Sequence, residues 1–306
     1  MSALSRRRRV GAAAAACMAV LAIATAVASQ RAAHDKAFWQ RTVQNKYALP
    51  AGEPLPPLVR ELSGYLGSPD PELRDDIGYS TLVAWIYRQK VVPVEVRREL
   101  LSEWTANLRT GIGTRGADTV FLRSFSALAL GILAALDNDA SWLEPAEFNG
   151  LLTAALAYLR DEVDVRGFDP AKGWMHSTAH TADLLKFLAR SRHLEPGQQA
   201  VVLDAVLDKV SRTEAVFTHG EDERLARAVL SIAARPDFDE AAFGRWAAKF
   251  VPLGGRGAPT PASLATTQNR KNLAVAVYSV LSTDARDLPS IPAARAMMLA
   301  TLKKVM

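Results

Sequence analysis

The chain has 306 residues, of which 49% are hydrophobic and 23% charged, enough for a substantial core in one large helical domain or two modest ones. Its formal charge of +5 owes four units to Arg6–Arg9; without residues 1–28 it falls to +1, which argues against an electrostatic nucleic-acid surface. The single cysteine, Cys17, lies in the same segment, so residues 29–306 offer no disulfide, thiol nucleophile or thiolate metal ligand.

Arg6–Arg9 precede an apolar, alanine-rich run from Val10 to Ala28, the pattern of a signal peptide. Small residues at Ala26 and Ala28 favour cleavage before Ser29, hence a periplasmic or secreted protein. The rival reading is an uncleaved inner-membrane anchor, because the run approaches the roughly 20 residues that cross a bilayer. Membrane contact is expected only through that segment. A lipoprotein reading around Cys17 fits less well, since much of the apolar run follows the cysteine. The twin-arginine route meets Gly11 where a bulky apolar residue belongs.

Residues 31–46 read as a short amphipathic helix, and the prolines at 54, 56 and 57 lead into another at 57–66. Asp70 as N-cap, Pro71 at the first helical position and Glu72 in the first turn start the next, which runs through Leu82, Trp85 and Ile86. Pro93 opens a helix over 93–109. Residues 117–136 are apolar on most sides and predict a central helix, with Arg123 and Ser124 as the polar exceptions in its body. Further helices are expected at 145–162, 174–191, 196–211, 221–234, 239–250, 264–282 and 291–304, with breakers between or at their starts. Strand signals are nearly absent. The expected fold is all-α: one domain over 29–306, an αα-superhelix of antiparallel pairs resembling a HEAT-like stack, with an exposed loop at 253–262.

Chemistry concentrates at 157–183. On a helix over 174–191, His176 and His180 lie about 40° apart in azimuth and Asp183 about 20° to the other side, so all three share a face. Two imidazoles and a carboxylate on one face can hold a divalent metal such as zinc, and metal-assisted hydrolysis is one reading. The zincin glutamate is missing, because Ser177, Thr178 and Ala179 separate the histidines. The alternative is a structural network: His176 bonding back into the 167–173 turn, His180 donating to a buried carboxylate, and Asp183 holding an arginine from a neighbouring helix. Asp161, Glu162, Asp164 and Arg166 crowd a helix end where acids oppose the dipole unless paired. Trp174 is expected to pack over the turn, with a ligand-stacking platform as its other use.

A second cluster, His219 to Arg224, puts Glu221, Asp222 and Glu223 in a first helical turn, where capping accounts for them. In a functional version His219, Glu221 or Asp222 faces the histidine helix. Asp70–Asp76 has the same capping explanation. Ser124 and Ser177 lack a glycine-flanked nucleophile elbow, and the glycines at 111, 113 and 116 lack a Walker lysine.

The segments Leu73-Arg-Asp-Asp-Ile-Gly-Tyr79, Phe121-Leu-Arg-Ser-Phe-Ser-Ala-Leu128, Asp164-Val-Arg-Gly-Phe168, Gly173-Trp-Met-His-Ser-Thr-Ala-His-Thr-Ala-Asp-Leu-Leu185 and His219-Gly-Glu-Asp-Glu-Arg-Leu225 together resemble the bacterial family catalogued as domain of unknown function 2785. The resemblance runs from about residue 60 to 285. It implies an all-helical fold, no settled activity, and characteristic polar positions at Arg123, Asp164, Arg166, His176, His180, Asp183, Glu221, Asp222 and Arg224. With Trp174 these form the candidate ligand-binding set. The leading expectation is an exported helical protein with a polar groove at the histidines that binds a small molecule or protein. A protein-interaction scaffold with purely structural histidines is the third reading, favoured by an exposed apolar patch remote from His176.

Overall fold

Proline, glycine and capping side chains set where these helices start and stop, and apolar periodicity sets the face each buries. The computed structural model describes residues 34–251 and 258–306. The expected signal segment with Arg6–Arg9 and Cys17, and residues 253–257 of the expected loop, lie outside them. The chain divides into two units, Met1–Trp39 and Gln40–Met306. In the first, the His34 ring stacks on Phe38 at 3.9 Å.

The helices run in chain order. α1 is Lys36–Gln44, α2 Leu55–Tyr65 and α3 the continuous helix 72–88. α4 is Val94–Asn107, α5 Thr119–Asp139 and α6 Pro145–Asp161. A two-residue hairpin, β1 (Phe168–Asp169) with β2 (Gly173–Trp174), precedes α7 (Ser177–Leu188). α8 (Pro196–Arg212), α9 (Glu221–Ala233), α10 (Glu240–Ala248), α11 (Pro261–Thr283) and α12 (Ser290–Val305) complete the described residues.

Within residues 40–306, α3, α5, α7, α9 and α11 pack in succession as one layer. A second layer is built from α6, α8 and α10, with α4 against α5 and α12 against α10 and α11. This is the expected stack of antiparallel helix pairs, consistent with an αα-superhelical, HEAT-like fold.

α5 is the core. Val120, Phe121, Leu130 and Leu133 are fully buried, and so are its polar exceptions Arg123 and Ser124. It is long and apolar enough to cross a membrane, yet most of its surface is covered by protein, as for the central helix of a helical domain. The large aromatics satisfy their polar ends as they bury: Trp104 Nε1 donates to Ser63 Oγ at 2.7 Å, and Trp85 Nε1 to the Tyr47 carbonyl at 2.8 Å.

Asp70 caps as expected, its Oδ1 accepting from the Glu72 N–H at 2.9 Å. What periodicity could not foresee is that α3 is wound with i→i+5 hydrogen bonds over Glu72–Tyr79 and Val83–Arg88, around an α-helical Ser80–Leu82. α7 is also shorter than expected. His176 takes φ = +51°, a left-handed conformation uncommon outside glycine, so the helix starts at Ser177 with His176 as its N-cap.

Candidate functional site

The hairpin and the α7 start owe their position to two glycines and one arginine. Gly173 has φ = +73°, which closes the turn after Asp169, whose Oδ1 accepts the Ala171 and Lys172 N–H groups at 2.8 and 2.9 Å. A Cβ on Gly167 would stand 2.3 Å from His219 Nδ1, so only glycine lets that imidazole lie against the strand entry. Arg74 of α3, fully buried, donates to the Lys172 carbonyl at 2.8 Å and the Ser68 carbonyl at 2.9 Å. Its guanidinium lies 4.1 Å from the Phe121 ring centroid, and Nε bonds Asp75 at 2.8 Å. Burial pulls the Arg74 guanidinium below its usual range, while Asp75 opposes that. The Asp70–Asp76 cluster is therefore more than a cap: Arg74 fastens the hairpin turn to α3 and α5.

Arg123 and Glu162 form a wholly buried ion pair, with Nε–Oε2 at 2.6 Å and Nη2–Oε1 at 3.2 Å. The remaining Arg123 donors reach the Thr110 and Gly111 carbonyls, both at 3.0 Å, and Thr119 Oγ1 at 3.1 Å. The acids at the end of α6 are thus paired, as the dipole argument required. Asp164 is buried against Arg166, Nη2–Oδ2 2.6 Å, and accepts the Gly116 N–H at 3.0 Å. Burial pushes its carboxyl up, but the hydrogen bonds from Arg166 and Gly116 outweigh this and hold it below the usual range.

The histidines form a network rather than a coordination site. His176 Nε2 lies 2.9 Å from the His219 carbonyl, to which it donates, and 3.7 Å from Glu221 Oε1; Glu221 Oε2 accepts the His219 N–H at 2.8 Å. Glu221 thus faces His176, as in the functional version of the second cluster. His180 Nδ1 lies 2.8 Å from Ser124 Oγ, which hydrogen-bonds the Met175 carbonyl. Because the serine proton goes to that carbonyl, His180 Nδ1–H is the donor and cannot serve Ser124 as a base. His180 bonds a hydroxyl where a carboxylate was expected. Burial pulls its imidazole well below the ordinary value, the His176 and Arg224 charges adding to the effect. Burial likewise lowers His176, with Glu221 opposing.

Asp183 pairs with Arg224 of α9 and, at 3.0 Å, with Lys186. This is the interhelix arginine–carboxylate contact expected of a structural network. It also corrects the zinc expectation for His176, His180 and Asp183. Among the described residues no group of three His, Cys, Asp or Glu can hold a metal ion. His176 Nε2, His180 Nδ1 and the Asp183 carboxylate turn to three different protein partners, and the imidazole centroids stand 5.6 Å apart. The ligand set for metal-assisted hydrolysis does not assemble.

Of the ten candidate residues, Arg123, Asp164, His176, His180, Asp183 and Glu221 are buried. Arg166, Asp222 and Arg224 are partly exposed, and Trp174 is 40% exposed. Trp174 stacks on His176 at 4.7 Å and 21°, and meets Phe168, 48% exposed, edge-on at 4.9 Å. Lys172 pairs with Asp118 at 2.7 Å. A cavity of about 1040 Å³ lies elsewhere, between α6 and α8. No sequence pattern gives a role to Phe168 or Lys209, and Arg74, part of the Asp70–Asp76 cluster, is covered there by the capping explanation alone.

This helical stack, with an arginine–carboxylate–histidine network at the α5–α7–α9 junction, belongs to the family described as "Protein of unknown function (DUF2785)", which matches residues 108–278, more than half of the chain. The match takes in all ten candidate positions and leaves Leu73–Tyr79 outside. No curated protein and no solved structure matches the chain.

Proposed function

We propose that this chain is a binding protein of the cell envelope that recognises a neutral, ring-bearing polar ligand on the Trp174–Phe168 surface. The observation that carries this reading is Trp174: one face of its indole is stacked on His176, and the side chain is still 40% exposed. A ring held from beneath is a platform for a second flat group at small entropic cost. The flanking cations are already compensated, Arg224 by Asp183 and Arg166 by Asp164, so a neutral polar ring such as a pyranose suits this surface better than an anion. The buried members of the set hold the platform; the exposed members, Trp174, Arg166, Asp222 and Arg224, meet the ligand. Export rests on Arg6–Arg9 and the apolar run to Ala28.

Calorimetric titration with glucose, N-acetylglucosamine and cellobiose, set against glucuronate, tests it. The expected result is binding of a neutral sugar, weaker binding of glucuronate, and loss of binding in Trp174→Ala. Sugar affinity unchanged in that variant contradicts the assignment.

The scaffold reading anticipated an exposed apolar patch remote from His176. The most exposed aromatic pair instead lies beside that residue, which favours recognition at the hairpin.

A further inference from the structure

The cavity between α6 and α8 is lined by a lysine, Lys209, that has no carboxylate ion-pair partner among the described residues. Lys209 of α8 is 6% exposed, and its Nζ makes one hydrogen bond, 2.7 Å to the Glu162 carbonyl. An ammonium has three protons to place, so two remain. The Glu162 carboxylate is committed elsewhere, to Arg123 and, at 2.9 Å, to the Asp164 N–H. Among the described residues no carboxylate pairs with Lys209 within 4.0 Å. Burial pulls the ammonium down to about 8; Glu162 opposes the shift, and the charge of Arg115 adds to it.

Arg115 lines the same cavity, is exposed, and has no ion-pair partner among the described residues. The other cations nearby are spoken for: Arg160 pairs with Asp161 at 2.7 Å and Arg212 with Asp208 at 2.5 Å. Asp204 is likewise held by Lys249 at 2.7 Å. Glu214, exposed, is the wall's one acid without a partner among the described residues. Two cations without an ion-pair partner among the described residues therefore line one space with one free acid, Glu214, and the buried one, Lys209, is the charge that normally requires an opposite one. Leu156, Ala157, Val163 and Val165 supply apolar wall. The volume, about 1040 Å³, admits a small organic molecule.

We infer that this cavity binds a monocarboxylate with an apolar body, its carboxylate held by Lys209 and Arg115 and its body by the α6 wall and the 163–165 segment. A carboxylate accepts from both cations at once, which a neutral head group cannot do with comparable strength. The site is separate from the Trp174 surface: neither Trp174 nor Phe168 lines the cavity.

Calorimetric titration of the full chain with octanoate, and with 1-octanol as a neutral probe of the same tail, tests the inference. Octanoate is expected to bind one-to-one and 1-octanol about tenfold more weakly or worse. Lys209→Met and Arg115→Gln should each cost about tenfold on octanoate and little on 1-octanol. If Lys209→Met fails to fold, the exposed Arg115→Gln decides. Equal affinity for the two probes, no binding of octanoate, or octanoate affinity unchanged in the folded variants overturns the inference. Trp174→Ala is expected to leave octanoate affinity intact; a loss there would move the probe to the aromatic surface and overturn the cavity assignment.

Discussion

Arg123 illustrates how a charge survives inside the most apolar helix of the described residues. Its guanidinium has a carboxylate and three backbone or hydroxyl acceptors, so desolvation is offset by complete hydrogen bonding. Arg123→Met strands the Glu162 carboxylate and should cost about 3–5 kcal/mol in denaturant unfolding; the double variant Arg123→Met/Glu162→Met should recover much of that. Lys209 titrates in a testable direction. Its folded value of about 8 lies below the 10.5 of the free group, so the fold binds fewer protons between these values and gains stability as pH rises. Relative to Lys209→Met, the wild type should gain about 2 kcal/mol between about pH 7 and about pH 9.5. The histidines act at the acid end. His180 stays neutral in the fold below its ordinary 6.5, so stability falls as pH drops through that value, and His180→Asn should flatten the decline. At this scale the sequence showed which residue types cluster but not which carboxylate an arginine meets. Asp183 with an interhelix arginine was legible from helix faces, whereas Arg123 with Glu162 joins residues 39 apart through packing no local pattern encodes.

Among the elements, the hairpin and the α7 start carry the Trp174–Phe168 surface proposed for ligand binding. Gly167→Ala forces a methyl group into the His219 imidazole, and overpacking of this kind costs about 1–3 kcal/mol. The variant should unfold at lower temperature and shift Trp174 emission as the hairpin moves. Helix positions were largely readable, because prolines, caps and an apolar period coincide: Pro145, Pro196 and Pro261 each stand at a helix start. The failures have physical causes. A helix period assumes right-handed backbone throughout, so His176 at φ = +51° made α7 start late, at Ser177, and removed the geometry on which the metal expectation stood. The i→i+5 winding of α3 likewise leaves a composition no different from an ordinary helix.

Across residues 40–306, an inner run of alternate helices buries α5, and the site lies where α5, α7 and α9 meet. Such a stack offers its surface for the proposed recognition, while its polar interior fixes the helices. The export proposal is checked by fractionating cells that produce the full chain: mature protein beginning at Ser29 in the periplasm is the expected outcome, and an intact amino terminus in the membrane fraction would favour the anchor. In the proposed function the buried network holds a platform and Trp174 makes the contact. Six tryptophans give resolvable indole N–H resonances, of which Trp39, Trp85, Trp104 and Trp246 belong to buried side chains. Titrating isotope-labelled protein with the sugar that binds calorimetrically should move the Trp174 indole resonance and leave those four in place. Saturation of the protein with that sugar while the Trp174 resonance stays unmoved would overturn the role proposed for Trp174.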